Sequence, residues 1–167
     1  MPIPTYAVGQ VLGAADCSLW FVPLEAHKTA DLNRASNITL TNDPDLVLTV
    51  AANATYRLEC LCIVTGVSGG DFQWGWAVPA SATMRYQALH NEGGATGLGN
   101  SSLVNSEVYT GFAACSGTGT NTGVQMWGEF TTAGTAGNLQ LKWAQQTSNG
   151  TATTMKAGSS LMLRRTG

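Results

Sequence analysis

Apolar and polar residues alternate along most of the chain from about residue 38 onward, with the two-residue period of β-strands. The pattern is clearest near the end, where Leu139, Leu141 and Trp143 share one face of a predicted strand and polar residues occupy the other. Two short strands, over 151–154 and 159–165, follow after turn-forming residues. Three strands joined by short turns predict an antiparallel sheet that packs on another layer.

The same alternation predicts further strands earlier in the chain, separated by turns rich in Gly, Asn and Asp. They cover 38–41, 46–50, 55–65, 71–78, 84–89, 107–112 and 124–131. Asn42 to Asp45 forms the predicted turn between the first two, with Pro44 at a favourable position. The glycine-rich stretches 90–105 and 117–123 are predicted to be loops. About nine or ten short strands at this spacing predict an all-β fold, an antiparallel two-sheet jelly-roll sandwich.

Aromatic residues occur on both kinds of strand face. Phe72, Trp74 and Trp76 recur at every second position, and core packing is favoured over an aromatic binding platform for them. Trp127 instead shares its face with polar residues and is predicted to point outward. Together with His90 and Asn91, at the start of the first glycine-rich loop, it is assigned to an oligomer or ligand surface.

The first 36 residues do not alternate and are predicted to form an irregular N-terminal arm. The arm contains a Trp-Phe pair, which is unfavourable in water, so it either folds back on the sandwich or docks on a neighbouring chain. Residues 27–37 are polar and are the predicted linker. The domain division is therefore an arm over 1–36 and a β-sandwich over 37–167.

Composition narrows the classes of function. Only 11% of the residues are charged, against roughly 25% in an average soluble domain. A net charge of −2 gives no basic field for nucleic acid, and no apolar run is long enough to span a membrane. A surface this poor in charge is typical of a subunit buried against other chains. Cys60 and Cys62, two apart on a predicted strand, are interpreted as reduced thiols in the core.

No pattern of reactive residues predicts an enzyme. Residues 66–70 match the GxSxG motif of hydrolases, but a strand follows where that motif needs a helix, so they are interpreted as a turn. His27 and His90 lie apart from any plausible nucleophile. The cysteines and glycines show neither a zinc-site spacing nor a phosphate-binding loop. No catalytic residue, cofactor or metal site is therefore expected.

Several phrases resemble a known family. MPIPTYAVGQVLGAADCSLWFVPLEAHK is similar to the opening of virion proteins of tailed bacteriophages of actinobacteria, in which GQVLTAADVN.W is common. Gly13 and Cys17 stand where Thr and Val are expected. LTNDPDLVLTVAANATYRLE, WGWAVPASATMRY and GNLQLKWAQQTSNGTATTMKAGSSLMLRR resemble the body of these proteins. The closing strands resemble the trimeric jelly-roll heads of the tumour necrosis factor and complement C1q type.

The resemblance implies a capsid decoration (minor capsid) protein that binds the outside of the head shell as a homotrimer and stabilises it. Its partners would be its own copies and the major capsid protein, with no nucleic acid or membrane. It would be made in the host bacterial cytoplasm and reside on the capsid surface of the virion. The arm residues expected to carry the attachment are Tyr6, Val11, Leu12, Leu19, Trp20 and Phe21. The alternative is a minor tail or fibre protein whose sandwich recognises host surface glycan.

Overall fold

The computed structural model describes residues 22–91, 98–100, 104–105, 111–113 and 117–167, together with residues 8, 9, 11 and 13. These residues form strands and no helix. The strands are β1 (Leu24–His27), β2 (Leu32–Arg34), β3 (Thr41–Val50), β4 (Thr55–Gly66), β5 (Phe72–Ala77), β6 (Thr83–Asn91), β7 (Leu98–Asn100), β8 (Val104–Asn105), β9 (Gly111–Ala113), β10 (Gly117–Thr131), β11 (Gly137–Ala144), β12 (Thr153–Met155) and β13 (Ser160–Arg165).

The strands of the described residues form two antiparallel sheets. The larger sheet has the order β1-β13-β4-β10-β6-β7, with β2, β8 and β12 paired to its members, and the smaller has the order β3-β11-β5-β9. If β1, β3, β4, β5, β9, β10, β11 and β13 are numbered 1 to 8 and the other strands are left out, the orders become 1-8-3-6 and 2-7-4-5, and β6 extends the larger sheet beyond strand 6. That is the arrangement of a jelly roll. The predicted all-β, two-sheet sandwich is confirmed.

The core lies between the two sheets and is built from their inward faces. Tyr56, Leu58, Cys60, Cys62 and Val64 all point inward from β4, as the alternation predicts. The smaller sheet contributes Trp74, Trp76 and Trp143, each at most 1% exposed. Trp74 Nε1 donates a hydrogen bond to the Tyr86 hydroxyl of the larger sheet at 3.2 Å. The core interpretation of the aromatic strand is therefore confirmed.

The thiols of Cys60 and Cys62 lie side by side in this core, with their sulfur atoms 3.8 Å apart. The hydrogen bond between them and their burial raise the pKa of the Cys62 thiol well above its ordinary value. Both are free thiols, as predicted. They act as small core side chains of β4.

The predicted turn at Asn42–Asp45 is a bulge within strand β3, and it does not reverse the chain. Both flanks pair with β11: Val47 opposes Gln140 and Asn42 opposes Lys142. The Asp43 carboxylate stabilises the bulge by accepting hydrogen bonds from the backbone N–H groups of Asp45 and Leu46, at 3.0 and 3.1 Å. The residues of 42–45 thus have the turn-forming character that the sequence indicates, but the chain accommodates them in a bulge of the ladder between β3 and β11.

Asp43 is also the centre of a buried polar cluster that connects the two sheets. Its side chain is 0% exposed and meets the ammonium group of Lys28, which is 1% exposed, with Nζ–Oδ2 at 3.1 Å. Trp143 Nε1 donates to the same oxygen at 2.9 Å, and Asp45 accepts from Lys28 Nζ at 2.7 Å. Lys28 follows β1 of the larger sheet directly, whereas the two aspartates belong to β3 of the smaller one.

Three segments expected to be irregular contain strands. Residues 27–37, the predicted linker, include the end of β1 and all of β2, which pair with β13 and β12. Their alternation is masked because both are short and because the buried side chain after β1 is a charged lysine. Residues 117–123, a predicted loop, belong to β10, since their threonines and glycines fit a ladder that contains a bulge between Gly117 and Thr122. Part of the 90–105 loop likewise forms β7 and β8.

Gly128 tests the packing of the larger sheet. A Cβ at this position of β10 would lie 2.0 Å from the Arg85 carbonyl oxygen and 2.5 Å from the Tyr86 Cα. Both atoms are backbone of the neighbouring strand, so they can move only by disturbing the ladder. Gly128→Ala is therefore expected to lower the free energy of unfolding by about 1–3 kcal/mol, measured by urea denaturation.

Gly123→Ala is the matched control on the same strand, because a Cβ there meets no atom within 4 Å. It should leave stability unchanged or slightly raised, since alanine restricts the unfolded chain. Equal denaturation midpoints for the two variants would contradict the packing described for β10.

Candidate functional site: the outer face of the larger sheet

Trp127 lies on the side of the larger sheet that faces away from the core. It is half-buried on β10, between Glu59 of β4 and Gln87 of β6, whereas its neighbour Met126 is 1% exposed and points inward. The alternation of β10 thus places this tryptophan on what we call the outer face, as predicted.

Side chains from five adjacent strands line up in rows across the outer face. The registers of β1, β13, β4, β10 and β6 define these rows. One row consists of Glu25, Met162, Glu59, Trp127 and Gln87, and the next of His27, Ser160, Leu61, Gln125 and Leu89. Apolar, amide and charged groups are therefore interleaved over the whole face, with Trp127 as its largest side chain.

A groove runs along the outer face beside Trp127. Its volume is about 490 Å³, and its walls include Glu25, His27, Glu59 and Met162 as well as Trp127. A second depression of about 370 Å³, bordered by Arg57, Glu129 and Thr166, also has Trp127 in its wall. The indole therefore separates two concave areas, in the position of an aromatic anchor with a polar surround.

Opposite charges on the outer face are balanced. Arg57 pairs with Glu59 at 3.2 Å, and His27 lies 3.4 Å from Glu25. A further row places Glu129 between Arg57 and Arg85. Exposed pairs of this kind contribute about 0–1 kcal/mol each to stability, so they add little to the stability of the fold. The outer face therefore carries charges of both signs.

The structure corrects the assignment of His90 to this surface. His90 is only 7% exposed and lies on the inward side of β6, where its ring meets Trp74 edge-on with centroids 6.2 Å apart. The parity of β6 places it on the face opposite to Gln87 and Leu89. The backbone of Asn91 pairs with Leu98, and its side chain is outside the described part of the structure. Trp127 is thus separated from His90 by the sheet itself.

The arm residues are described only in part. Val11 is 88% exposed, and the neighbouring apolar residues Val8 and Val22 are also exposed. The remaining predicted attachment residues, Tyr6, Leu12, Leu19, Trp20 and Phe21, lie outside the described residues. Their role stays a prediction.

The GxSxG sequence forms a turn, as predicted. Val67 accepts backbone hydrogen bonds from Gly70 and Asp71 at 3.0 and 3.2 Å, Ser68 is exposed, and strand β5 follows. In the ranges that the structure describes, no three His, Cys, Asp or Glu side chains are grouped as a metal site would require. The same ranges contain no helix with the length and apolar character of a membrane span.

Sequence reasoning missed the cluster of Lys28, Asp43 and Asp45. The sequence pattern assigns Lys28 to a polar linker and the two aspartates to a turn. Their contact could not be found from local pattern, since the lysine comes from one sheet and the aspartates from the other.

Comparisons with known proteins add little to this geometry. The sequence matches no protein-family profile and none of the curated protein sequences. Among solved structures, a chain in "Structure of infectious bursal disease virus Gt strain" aligns with 99% of this chain at 12% sequence identity and a TM-score of 0.22. The alignment covers 46% of that viral chain, so this chain spans less than half of its length. A likeness of that size is a weak similarity to a viral structure, and it carries no conclusion about function.

Proposed function

We propose that the chain is a virion structural protein of a tailed bacteriophage, most specifically a decoration protein that binds the outside of the head shell as a homotrimer. The phrases that resemble actinobacteriophage virion proteins support this proposal, and a jelly-roll sandwich is a fold used by viral capsid proteins. The role is structural: copies tie neighbouring capsid subunits together and add buried area against the pressure of packaged DNA.

One observation carries the attachment model. Among the described hydrophobic residues, Ala26 of β1 is the first that packs against the core, whereas Val8, Val11 and Val22 upstream of β1 are 107%, 88% and 61% exposed. Apolar side chains that their own sandwich leaves in water are favourable contacts for a partner. In this proposal the partner of the arm is the major capsid protein.

The outer face supplies the contact between copies. An interface of the standard size buries about 800 Å² per partner, with aromatic anchors at its centre and polar groups at its rim. Trp127 and the apolar Met162 and Leu61 lie among glutamates, arginines and amides on this face. The contact in a trimer is heterologous, so in this proposal the outer face of one copy meets a different surface of the next copy.

Removing the arm is expected to abolish attachment and to preserve the fold. A chain that lacks residues 1–22 retains β1 and every described core residue, so its circular dichroism spectrum and denaturation midpoint should match those of the full chain. Its binding to undecorated virus heads, measured by co-sedimentation, should be lost.

Ile38→Ser is the matched control for this deletion, because Ile38 is an exposed apolar residue, 54% exposed, that lies outside the arm. It should sediment with the heads like the unaltered chain. Full binding by the deletion variant would refute the arm model, and a copy number far below that of the major capsid protein, by quantitative mass spectrometry of virions, would refute decoration.

Replacing the outward tryptophan is expected to weaken trimer formation. Trp127→Ser removes the aromatic anchor of the outer face and should shift the sedimentation equilibrium toward monomer, at a free-energy cost of about 2 kcal/mol or more per interface. Val47→Ser, on the outward side of β3 in the smaller sheet, is the control and should leave the association unchanged. A chain that is monomeric before any substitution would refute the trimer.

The groove beside Trp127 favours one other candidate, a tail or fibre protein that binds host glycan. An indole, amide groups and carboxylates around a concave surface can stack on a sugar ring and bond to its hydroxyls. Saturable binding on a glycan array that Trp127→Ala abolishes, with the oligomer intact, would support this candidate. An array without any bound sugar would reject it.

A further inference from the structure

We propose that Lys28 and Asp43 become joined by an amide bond between their side chains, formed by the chain itself with Asp45 as the proton carrier. The three groups meet between β1 of the larger sheet and β3 of the smaller one. The bond would be a covalent cross-link between the two layers of the sandwich. It does not depend on the proposed role in a virion.

The Lys28 amine lies close to both oxygens of the Asp43 carboxyl group. Lys28 Nζ lies 3.2 Å from Oδ1 and 3.1 Å from Oδ2 of Asp43. A nitrogen at nearly equal distance from both oxygens of a carboxyl group is also close to its carbon, at roughly 3–3.5 Å, the separation of reacting atoms in a near-attack geometry. The exposed fractions of the two side chains are 1% and 0%, so packing holds both of them in place.

Exclusion of water favours the reaction in two ways. In water an ammonium group and a carboxylate are each strongly hydrated, but a dry site brings their neutral forms much closer in free energy to the ion pair. Water is also the reagent that would hydrolyse the product. Burial of the Lys28 and Asp43 side chains therefore keeps water away from both reacting groups.

Three N–H groups donate to the two oxygens of the Asp43 carboxyl group, one of which would carry the developing negative charge. The backbone N–H groups of Asp45 and Leu46 donate to Oδ1 at 3.0 and 3.1 Å, and Trp143 Nε1 donates to Oδ2 at 2.9 Å. Donors that are already oriented toward a developing oxyanion stabilise the tetrahedral intermediate of acyl transfer.

The steps balance with the residues present. One proton passes from the ammonium of Lys28 to the carboxylate of Asp43, and the resulting amine attacks the carboxyl carbon, forming the C–N bond and leaving negative charge on one oxygen. The carboxylate of Asp45, 2.7 Å from Nζ, takes the second proton from nitrogen. The oxyanion then reforms the carbonyl, the C–OH bond breaks, and Asp45 returns the proton so that water leaves. No oxidant, reductant or external reagent is required.

A second lysine-aspartate pair in the same chain shows what the buried cluster adds. Lys156 is hydrogen-bonded to Asp31, but these side chains are 33% and 43% exposed, and no second carboxylate is paired with Lys156 among the described residues. Water can hydrate both groups there, and a proton carrier is missing. This exposed pair should not react and serves as an internal control.

The experiment is intact-mass spectrometry of the purified, folded full-length chain, followed by mapping of tryptic peptides. The expected mass is one water lower than that of the sequence, and a branched peptide should join the segments that contain Lys28 and Asp43. Trypsin should fail to cleave after Lys28, because an acylated lysine is not a substrate. Lys28→Met and Asp43→Ala should restore the full mass, and Lys156→Met should keep the water loss.

Lys28→Met leaves a buried carboxylate without its cation, so this variant could fail to fold. Asp45→Asn is therefore the decisive variant: Asp45 is 37% exposed and the fold can tolerate its replacement, while loss of the proton carrier should slow the cross-link by at least tenfold in a time course after refolding. A folded protein that keeps the full sequence mass and is cleaved after Lys28 would overturn the proposal. A water loss that maps to other residues, or a rate unchanged by Asp45→Asn, would overturn it as well.

Discussion

The buried carboxylate of Asp43 is the group on which the arrangement of the two sheets depends. It accepts hydrogen bonds from Lys28, from the Trp143 indole and from two backbone N–H groups of its own strand. A charge with no exposed surface is tolerated only when it is paired and fully hydrogen-bonded, and removing one partner of such a pair costs about 3–5 kcal/mol. The positions of β1, the β3 bulge and β11 are therefore fixed relative to one another by a single side chain.

Near Asp43, Arg34 also binds to the smaller sheet. The Arg34 guanidinium lies 4.1 Å from the centre of the Trp143 ring and donates to the carbonyl groups of Thr41 and Asn42, both at 2.9 Å. Burial lowers the pKa of Arg34 from its ordinary value, with the nearby Asp43 charge opposing that effect. Trp143 is thus held by a cation on one side and a carboxylate at its edge, which explains how polar groups can lie next to the aromatic core.

Period-two alternation predicted most of the sandwich because burial of one face decides which residues a strand can carry. It placed Trp74, Trp76 and Trp143 inside and Trp127 outside, although the residue type is the same. It could not identify β1 and β2, since the inward residue after β1 is a lysine and the strands have too few positions for a period. Nor could it reveal His90 as a core residue, because a histidine reads as polar whether its ring meets water or Trp74.

The neighbours of Trp127 were beyond sequence reasoning for another reason. Its row on the outer face is assembled from β1, β13, β4 and β6, which are distant in sequence, and only the sheet order brings Glu25, Met162 and Glu59 next to it. The alternation along a strand determines which face of the sheet a side chain lies on. The order of the strands determines which side chains lie beside it. The fold can therefore be inferred from local pattern, whereas the composition of the outer face cannot.

The position of the buried cluster also relates the sandwich to the segment that precedes it. If the arm anchors the protein to a particle, load enters the domain through residues before Leu24 and acts on β1, an edge strand that pairs only with β13 among the described strands. Such a load separates the register pairs one at a time, beginning with Leu24 and Leu163. The separation ends at Lys28, whose backbone bonds to Ser159 and Gly158 and whose side chain is held by Asp43 in the opposite sheet. The hydrogen bonds and the ion pair of Lys28 thus hold the end of β1 at the point where further separation of the strand would expose the core.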